Sequence, residues 1–190
     1  MPGPDIIYVI MLSITRGKKY GIITSLGLVS GILIHTTLIA FGVAAIINES
    51  DVLFNIIKIM GALYLFYLAF KTFKSSSNIE FNAPDNLDKS FVDLYKQGFI
   101  MNVLNPKVVI FFLAFLPGFV VKENGNITFQ IYFLGIIFMI QAFIIFTLVS
   151  ISSAKLTSFI RGSIKFEKVL YWLQILIFIA IGIYILFSQK

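Results

Sequence analysis

The chain has 190 residues, of which 58% are hydrophobic and only 13% are charged, and its formal net charge is +6. Soluble domains are roughly a quarter charged, and the mean hydropathy of this chain is +0.95, so the composition excludes a soluble domain and indicates an integral membrane protein. There is no cysteine, which excludes disulfides and thiolate metal sites.

Long apolar stretches predict the membrane spans, because roughly 20 apolar helical residues cross a hydrocarbon core of about 30 Å. The first apolar run, from Ile6 to Thr15, covers only about half of that thickness, so we expect a first helix that is truncated at its N-terminal side. Together with the five stretches that follow, it predicts an all-α, polytopic membrane protein of about six transmembrane helices. These five stretches lie at about 20–47, 52–70, 98–121, 127–151 and 169–187.

The basic residues predict the orientation. Under the positive-inside rule, the three basic loops face the cytoplasm and both termini lie outside. The positive charge therefore reports topology and does not indicate a nucleic-acid partner. The basic loops carry Arg16, Lys18 and Lys19; then Lys71, Lys74, Lys89 and Lys96; and then Lys155, Arg161, Lys165 and Lys168.

The 75–97 segment is predicted to be a cytoplasmic linker. Its polar, proline-bearing first part is typical of a flexible connection. Its second part places Leu87, Phe91, Leu94 and Tyr95 on one helical face, which favours an interfacial helix on the inner leaflet.

The fourth span is interrupted by polar residues and a proline. Asn102, Asn105, Pro106 and Lys107 follow one another in the run FIMNVLNPKVVIFF. Proline is favoured at the first helical position and asparagine at the N-cap, so we expect a new half-helix to begin at Pro106 with Asn105 as its cap.

The start of the chain repeats this pattern with the opposite charge. Pro4 is followed by Asp5 and the apolar IIYVI, and an acidic residue suits the first turn of a helix. At about 1.5 Å per residue, Asp5 lies about 16 Å and Lys107 about 14 Å from the cytoplasmic end of its span. We expect two half-helix N-termini with unpaired N–H groups near the midplane, and such ends attract anions. A structural ion pair between Asp5 and Lys107 is the alternative.

Two breaks at similar depth predict two inverted three-helix repeats, the arrangement of many secondary transporters. The predicted organisation is a first repeat at 1–74, the linker at 75–97 and a second repeat at 98–190. His35 and Gln141 lie at corresponding positions of the second and fifth spans, which supports the same symmetry more weakly.

A glycine stripe lies on the second span. Gly27, Gly31 and His35 form a GxxxGxxxH pattern, in which the glycines allow close helix packing and permit a homodimer. His35 is either a structural hydrogen-bonding residue or a substrate contact. Lys58, near the outer end of the third span, is expected to snorkel to water.

Four stretches together resemble one transporter family. PGPD followed by SITRGKKYGIITSLGLVSGILIH, GALYLFYLAF at 61–70 and FIMNVLNPKVVIFFLAFLPGFV at 99–120 resemble the lysine exporter and threonine/homoserine exporter (LysE/RhtB) family. The resemblance implies an inner-membrane protein that exports amino acids or related small solutes, driven by the proton gradient. Carried over to this chain, the family's signature residues are Pro2, Gly3, Pro4, Asp5, Asn105, Pro106 and Lys107.

The chain departs from the family pattern at two places. Family members carry an apolar stretch before PGPD, whereas this chain begins at Met1, so we expect either a late start or a true truncation. Gly118 stands where a polar residue is more usual.

The sequence thus predicts a secondary transporter of zwitterionic solutes in the bacterial inner membrane, with an amino acid and the lipid bilayer as partners. An ion transporter, for a divalent cation or an anion, and a non-transporting membrane subunit are the alternatives. No enzyme constellation, cofactor site or metal site is predicted. The candidate substrate-binding residues are Pro4, Asp5, His35, Asn102, Asn105, Pro106 and Lys107.

Overall fold

A computed structural model describes residues 4–49, 51–74, 89–121, 124–162 and 164–187. The signature residues Pro2 and Gly3 and most of the predicted linker, including Leu87, lie outside the described residues. The helices are α1 Pro4–Thr15, α2 Lys18–Glu49, α3 Asp51–Lys74, α4 Phe91–Val103, α5 Pro106–Phe115, α6 Ile127–Gly162 and α7 Ile164–Phe187, with a 3-10 helix at Leu116–Phe119 between α5 and α6.

Several helices have the length and apolarity of membrane spans. Within α2, α3 and α6 these spans are Lys18–Gly42, Asn55–Lys74 and Ile127–Ser153. The α4–α5 pair, extended by the 3-10 helix, has the character of a fourth span broken in its middle, while α1 and α7 contribute shorter apolar helices. This confirms an all-α polytopic membrane protein. The arrangement as two inverted three-helix repeats stays a prediction.

The start of α4 differs from the sequence expectation. Ser90 caps the helix, its hydroxyl accepting from the backbone N–H of Asp93 while the Asp93 carboxylate accepts from the Ser90 backbone, which is a capping box. From there the helix continues through Gly98 to Val103. Residues 91–97 are therefore continuous with residues 98–103 in one helix, although the predicted linker ends at residue 97, and Leu94 is fully buried. The interfacial position of this segment stays a prediction.

The helices contribute to two compact units. The first consists of Met1–Ile32, Ser77–Leu104 and Phe138–Tyr171, and the second of Leu33–Ser76, Asn105–Ile137 and Trp172–Lys190. The predicted division into a first repeat at 1–74, a linker at 75–97 and a second repeat at 98–190 describes internal symmetry. Compact units defined by contacts do not test that symmetry, so the division stays a prediction.

In the first unit, α4 and the first half of α2 run parallel in close contact. The rings of Tyr20 and Phe91 lie 4.8 Å apart, and a Cβ built on Gly27 would lie 2.9 Å from the carbonyl carbon of Tyr95. Gly98 faces α2 in the same way, with Leu28 N 3.1 Å from its built Cβ. This confirms that the glycines of α2 allow close packing. Gly27 contacts α4 of the same chain, and the homodimer stays a prediction.

Buried hydroxyl groups of the first unit are satisfied by their own helices. Ser13 Oγ donates to Val9 O at 2.7 Å, and Ser150 Oγ donates to Phe146 O at 2.9 Å. Both hydroxyls lie against Gly21 of α2. In hydrocarbon no water is present to replace such hydrogen bonds. A buried serine is tolerated at these positions because its hydroxyl donates a hydrogen bond to the carbonyl oxygen four residues earlier.

In the second unit, small residues again set the helix contacts. Gly61 of α3 meets Ala114 of α5, whose Cα would lie 2.8 Å from a Cβ on Gly61. Between α2 and α6, Tyr132 Oη donates to Thr37 Oγ1 at 3.1 Å, and Gly135 lies against the side chain of Thr36. The contact between Gly61 and Ala114 packs α5, which carries the candidate site, against α3 of the same unit.

Candidate functional site

The break in the fourth span ends one helix and starts another within two residues. Leu104 ends α4 with helical dihedrals. Asn105 is extended, at φ −79° and ψ 103°, because a residue that precedes proline avoids the helical region. Its side-chain oxygen accepts from the backbone N–H of Lys107 at 3.1 Å, and Pro106 is the first residue of α5. This confirms the predicted cap and the predicted start of the half-helix.

The first-turn N–H groups of α5 are engaged, contrary to the prediction that they are unpaired. Pro106 has no N–H, and that of Lys107 is bound by the Asn105 side chain. Val108 N and Val109 N both donate to Asn105 O, at 3.0 and 3.2 Å. An anion at this end would therefore be attracted by the helix dipole and by Lys107, and not by free donors.

Lys107 places a cation in the first turn of α5, which has no acidic residue there. A positive charge is unfavourable at a helix N-terminus. The ammonium lies 5.6 Å from the ring centroid of Phe178 on α7, within the range of a cation–π contact. Phe178 is itself buried, so the half-buried lysine lies beside an aromatic ring in the interior of the second unit.

His35 also lies in the second unit. It is 2% exposed, and its ring centroid is 6.5 Å from that of Phe112 on α5. Four of the seven predicted residues thus belong to this unit: His35, Asn105, Pro106 and Lys107.

Pro4, Asp5 and Asn102 belong to the first unit. Pro4 is the first residue of α1 and Asp5 lies in its first turn, as predicted. Asn102 is 6% exposed, and its Oδ1 would lie 2.7 Å from a Cβ on Gly31, so the glycine provides the space that the amide occupies. The pairing of Asp5 with Lys107 and their equal depth stay predictions.

Lys58 is a candidate that the sequence analysis missed. It is only 8% exposed and shares the buried face of α3 with Ala62 and Leu65, so the expectation that it snorkels to water is wrong. The spacing of Lys58, Ala62 and Leu65 on one face was the signal for burial. Gln141 is exposed and His35 is buried, and their predicted correspondence in two repeats stays a prediction.

A concavity of about 210 Å³ lies between α3 and α5. Its lining is apolar apart from Tyr64, and includes Ile57, Met60 and Leu113. A carboxylate would find no cation there, so this groove does not compete with Lys107 as a site for a charged solute. Among the residues that the structure describes, no group of three His, Asp or Glu side chains could hold a metal ion.

The family model for LysE type translocators matches residues 1–189. The chain belongs to the LysE translocator family. It is 31% identical to the uncharacterized membrane protein YrhP of Bacillus subtilis strain 168, over 96% of this chain and 90% of the relative. It is 29% identical to the leucine efflux proteins of Salmonella typhimurium strain LT2 and Salmonella choleraesuis strain SC-B67, over 89% of this chain and 80% of each relative. No solved structure matches. This LysE family member is accordingly a multi-pass membrane translocator.

Proposed function

We propose that this protein is a secondary active transporter that exports amino acids, or related small zwitterionic solutes, across the bacterial cytoplasmic membrane. The observation that carries the proposal is the match to LysE type translocators along the whole chain, together with the leucine efflux relatives that cover 89% of it. The proton gradient is the proposed driving force.

The N-terminal end of α5 is the proposed position of the substrate carboxylate. The Lys107 ammonium and the helix dipole both attract an anion at this end, and the lysine lies beside the buried ring of Phe178. A bound carboxylate would offset the unfavourable cation in the first turn.

The substrate amino group is proposed to need Asp5, since a carboxylate is the natural partner of an ammonium group. Asp5 is half-buried in the first turn of α1, and an intramembrane carboxylate is a functional candidate. Asn102 and His35 are proposed as further polar contacts along the path, because both are buried polar residues in spans.

The proposed orientation places the basic segments in the cytoplasm and both termini outside. Two of these segments lie on one side of the first unit, because Arg16 Nη1 donates to Lys89 O at 2.8 Å. Alkaline phosphatase fused after Lys190 should be active, since the enzyme folds only outside the cytoplasm. Activity restricted to a fusion within 75–88 would contradict this orientation.

The function is tested by efflux from cells preloaded with a panel of amino acids. Cells that produce the protein should release a subset of the panel faster than cells that lack it, and a protonophore should abolish the difference. Asp5→Asn should lose this efflux at an unchanged amount of inserted protein. Equal release with and without the protein for every member of the panel would contradict the proposal.

A further inference from the structure

Five basic residues of the first unit surround the start of α2 and of α4, a surface that we call the basic patch. Arg16, Lys18 and Lys19 lie at the α1–α2 connection, and Lys89 and Lys96 lie at the beginning of α4. Lys18, Lys19 and Lys96 are exposed. No step of the proposed export mechanism uses them.

Direct contacts hold the two halves of the basic patch together. Arg16 donates to the carbonyl oxygen of Lys89 at 2.8 Å and lies 4.0 Å over the ring of Tyr20. That ring in turn packs 4.8 Å from Phe91. Segments that are 73 residues apart in the chain are therefore fixed side by side, and their charges are concentrated on one surface.

Basic residues outnumber acidic ones in the described part of the basic patch. Segments 16–20 and 89–97 contain five basic residues and one acidic residue, Asp93, whose carboxylate accepts hydrogen bonds from the backbone and the hydroxyl of Ser90 and interacts electrostatically with Lys96 and Lys89. Lys18 and Lys19 occupy the first turn of α2, where no acidic residue is present. Cations in that turn oppose the helix dipole, so a bound anion would relieve an unfavourable arrangement.

Apolar and aromatic groups beside the basic patch indicate that the anion belongs to a lipid and not to a soluble molecule. Phe91 is 46% exposed, and its neighbour Val92 is 60% exposed, although both lie beside charged side chains. Tyrosine next to basic residues at the end of a span, as Tyr20 is here, is typical of the headgroup level of a membrane. A soluble anion would not require this apolar surface, whereas a phospholipid has both a phosphate and acyl chains.

We propose that the basic patch binds the phosphate headgroup of an anionic phospholipid in the leaflet that it faces. The bound lipid joins the α1–α2 connection to the start of α4 through a shared phosphate. Basic clusters next to a span bind anionic lipids with about a fivefold gain in affinity for each lysine near the surface.

Native mass spectrometry of the purified protein tests this proposal. The protein is incubated with phosphatidylglycerol or with phosphatidylcholine of the same acyl chains, and the bound fraction of each lipid is measured. We expect several-fold preference for phosphatidylglycerol. The Lys18→Gln/Lys19→Gln variant should lose about tenfold or more of this binding, since two lysines are removed.

The Lys71→Gln/Lys74→Gln variant is the matched control. It removes the same charge from two exposed lysines at the end of α3, in the other unit, and should change phosphatidylglycerol binding less than twofold. Lys18→Arg/Lys19→Arg should retain binding, because the charge is kept. Equal losses in the two glutamine variants, or an unchanged Lys18→Gln/Lys19→Gln variant, would overturn the proposal. Equal binding of both lipids, with protection against heat by inorganic phosphate alone, would assign the patch to a soluble anion and also overturn it.

Discussion

Replacing Gly27 by alanine tests the contact between α2 and α4. A Cβ on Gly27 would overlap the carbonyl oxygen of Tyr95, and would lie 2.9 Å from its carbonyl carbon and 3.0 Å from Phe99 N. All three neighbours are backbone atoms inside a helix, so none can rotate away. An ordinary contact begins at 3.4 Å, so the Tyr95 carbonyl carbon at 2.9 Å alone would require the two helices to separate by about 0.5 Å, and the nearer carbonyl oxygen requires more.

The loss of unfolding free energy that this separation causes can be estimated. Overpacking of a well-packed interior costs about 1–3 kcal/mol, while alanine gains about 1 kcal/mol over glycine in helix propensity. Gly42 of the same helix is the matched control, because nothing lies within 4 Å of a Cβ built there. Gly42→Ala should keep the propensity gain alone, so the two variants should differ by roughly 2 kcal/mol in unfolding free energy.

The assay is the thermal midpoint of the purified protein in detergent, followed by loss of the monodisperse peak in size-exclusion chromatography. For a chain of this length, about 2 kcal/mol corresponds to about 4–8 °C. Gly27→Ala should therefore melt about 4–8 °C below Gly42→Ala. If Gly27→Ala melted at or above the midpoint of Gly42→Ala, the close contact of α2 with α4 would be refuted.

Three further substitutions test the site and its surroundings. Asn105→Ala should lower the unfolding free energy by about 1 kcal/mol because the cap of α5 is lost, whereas Asn105→Asp should keep most of it; equal midpoints of the two variants would argue against the cap. Phe178→Leu should raise the KM for the exported solute without a comparable change in the melting temperature, because the aromatic ring beside the Lys107 ammonium is lost. Phe178→Tyr keeps the ring and should behave like the native protein. An unchanged KM in Phe178→Leu would show that the ring is not part of the site. Gly135→Ala should lower the thermal midpoint, because its methyl group meets both branches of Thr36, and adding Thr36→Ala should restore it; additive losses in the double variant would contradict this contact.

Most of the fold could be predicted from composition and from single residues with strong local preferences. The long apolar stretches predicted α2, α3 and α6, because twenty apolar residues have few alternatives to a membrane helix. Asn105 and Pro106 predicted the start of α5 to the residue, since an asparagine cap followed by proline at the first helical position specifies a helix start.

Other features depend on helix packing and on backbone hydrogen bonds that the sequence analysis did not take into account. The helix that begins at Phe91 extends through Gly98, and Gly27 and Gly98 let it lie directly against α2, a contact that the amphipathic pattern of residues 87–95 does not predict. Lys58 is buried because the rest of its face on α3 packs inward. The first-turn N–H groups of α5 are engaged because the carbonyl of Asn105 accepts two of them.

The central claim is that a substrate carboxylate binds at the N-terminal end of α5 through Lys107. It is tested most directly by counterflow of labelled leucine, the solute named for the Salmonella relatives, or of another solute that the efflux panel selects, in liposomes that contain the purified protein. Lys107→Met should abolish counterflow, Lys107→Arg should retain part of it, and the exposed-lysine control Lys71→Met should leave it unchanged. Native counterflow in a correctly inserted Lys107→Met variant would contradict the claim.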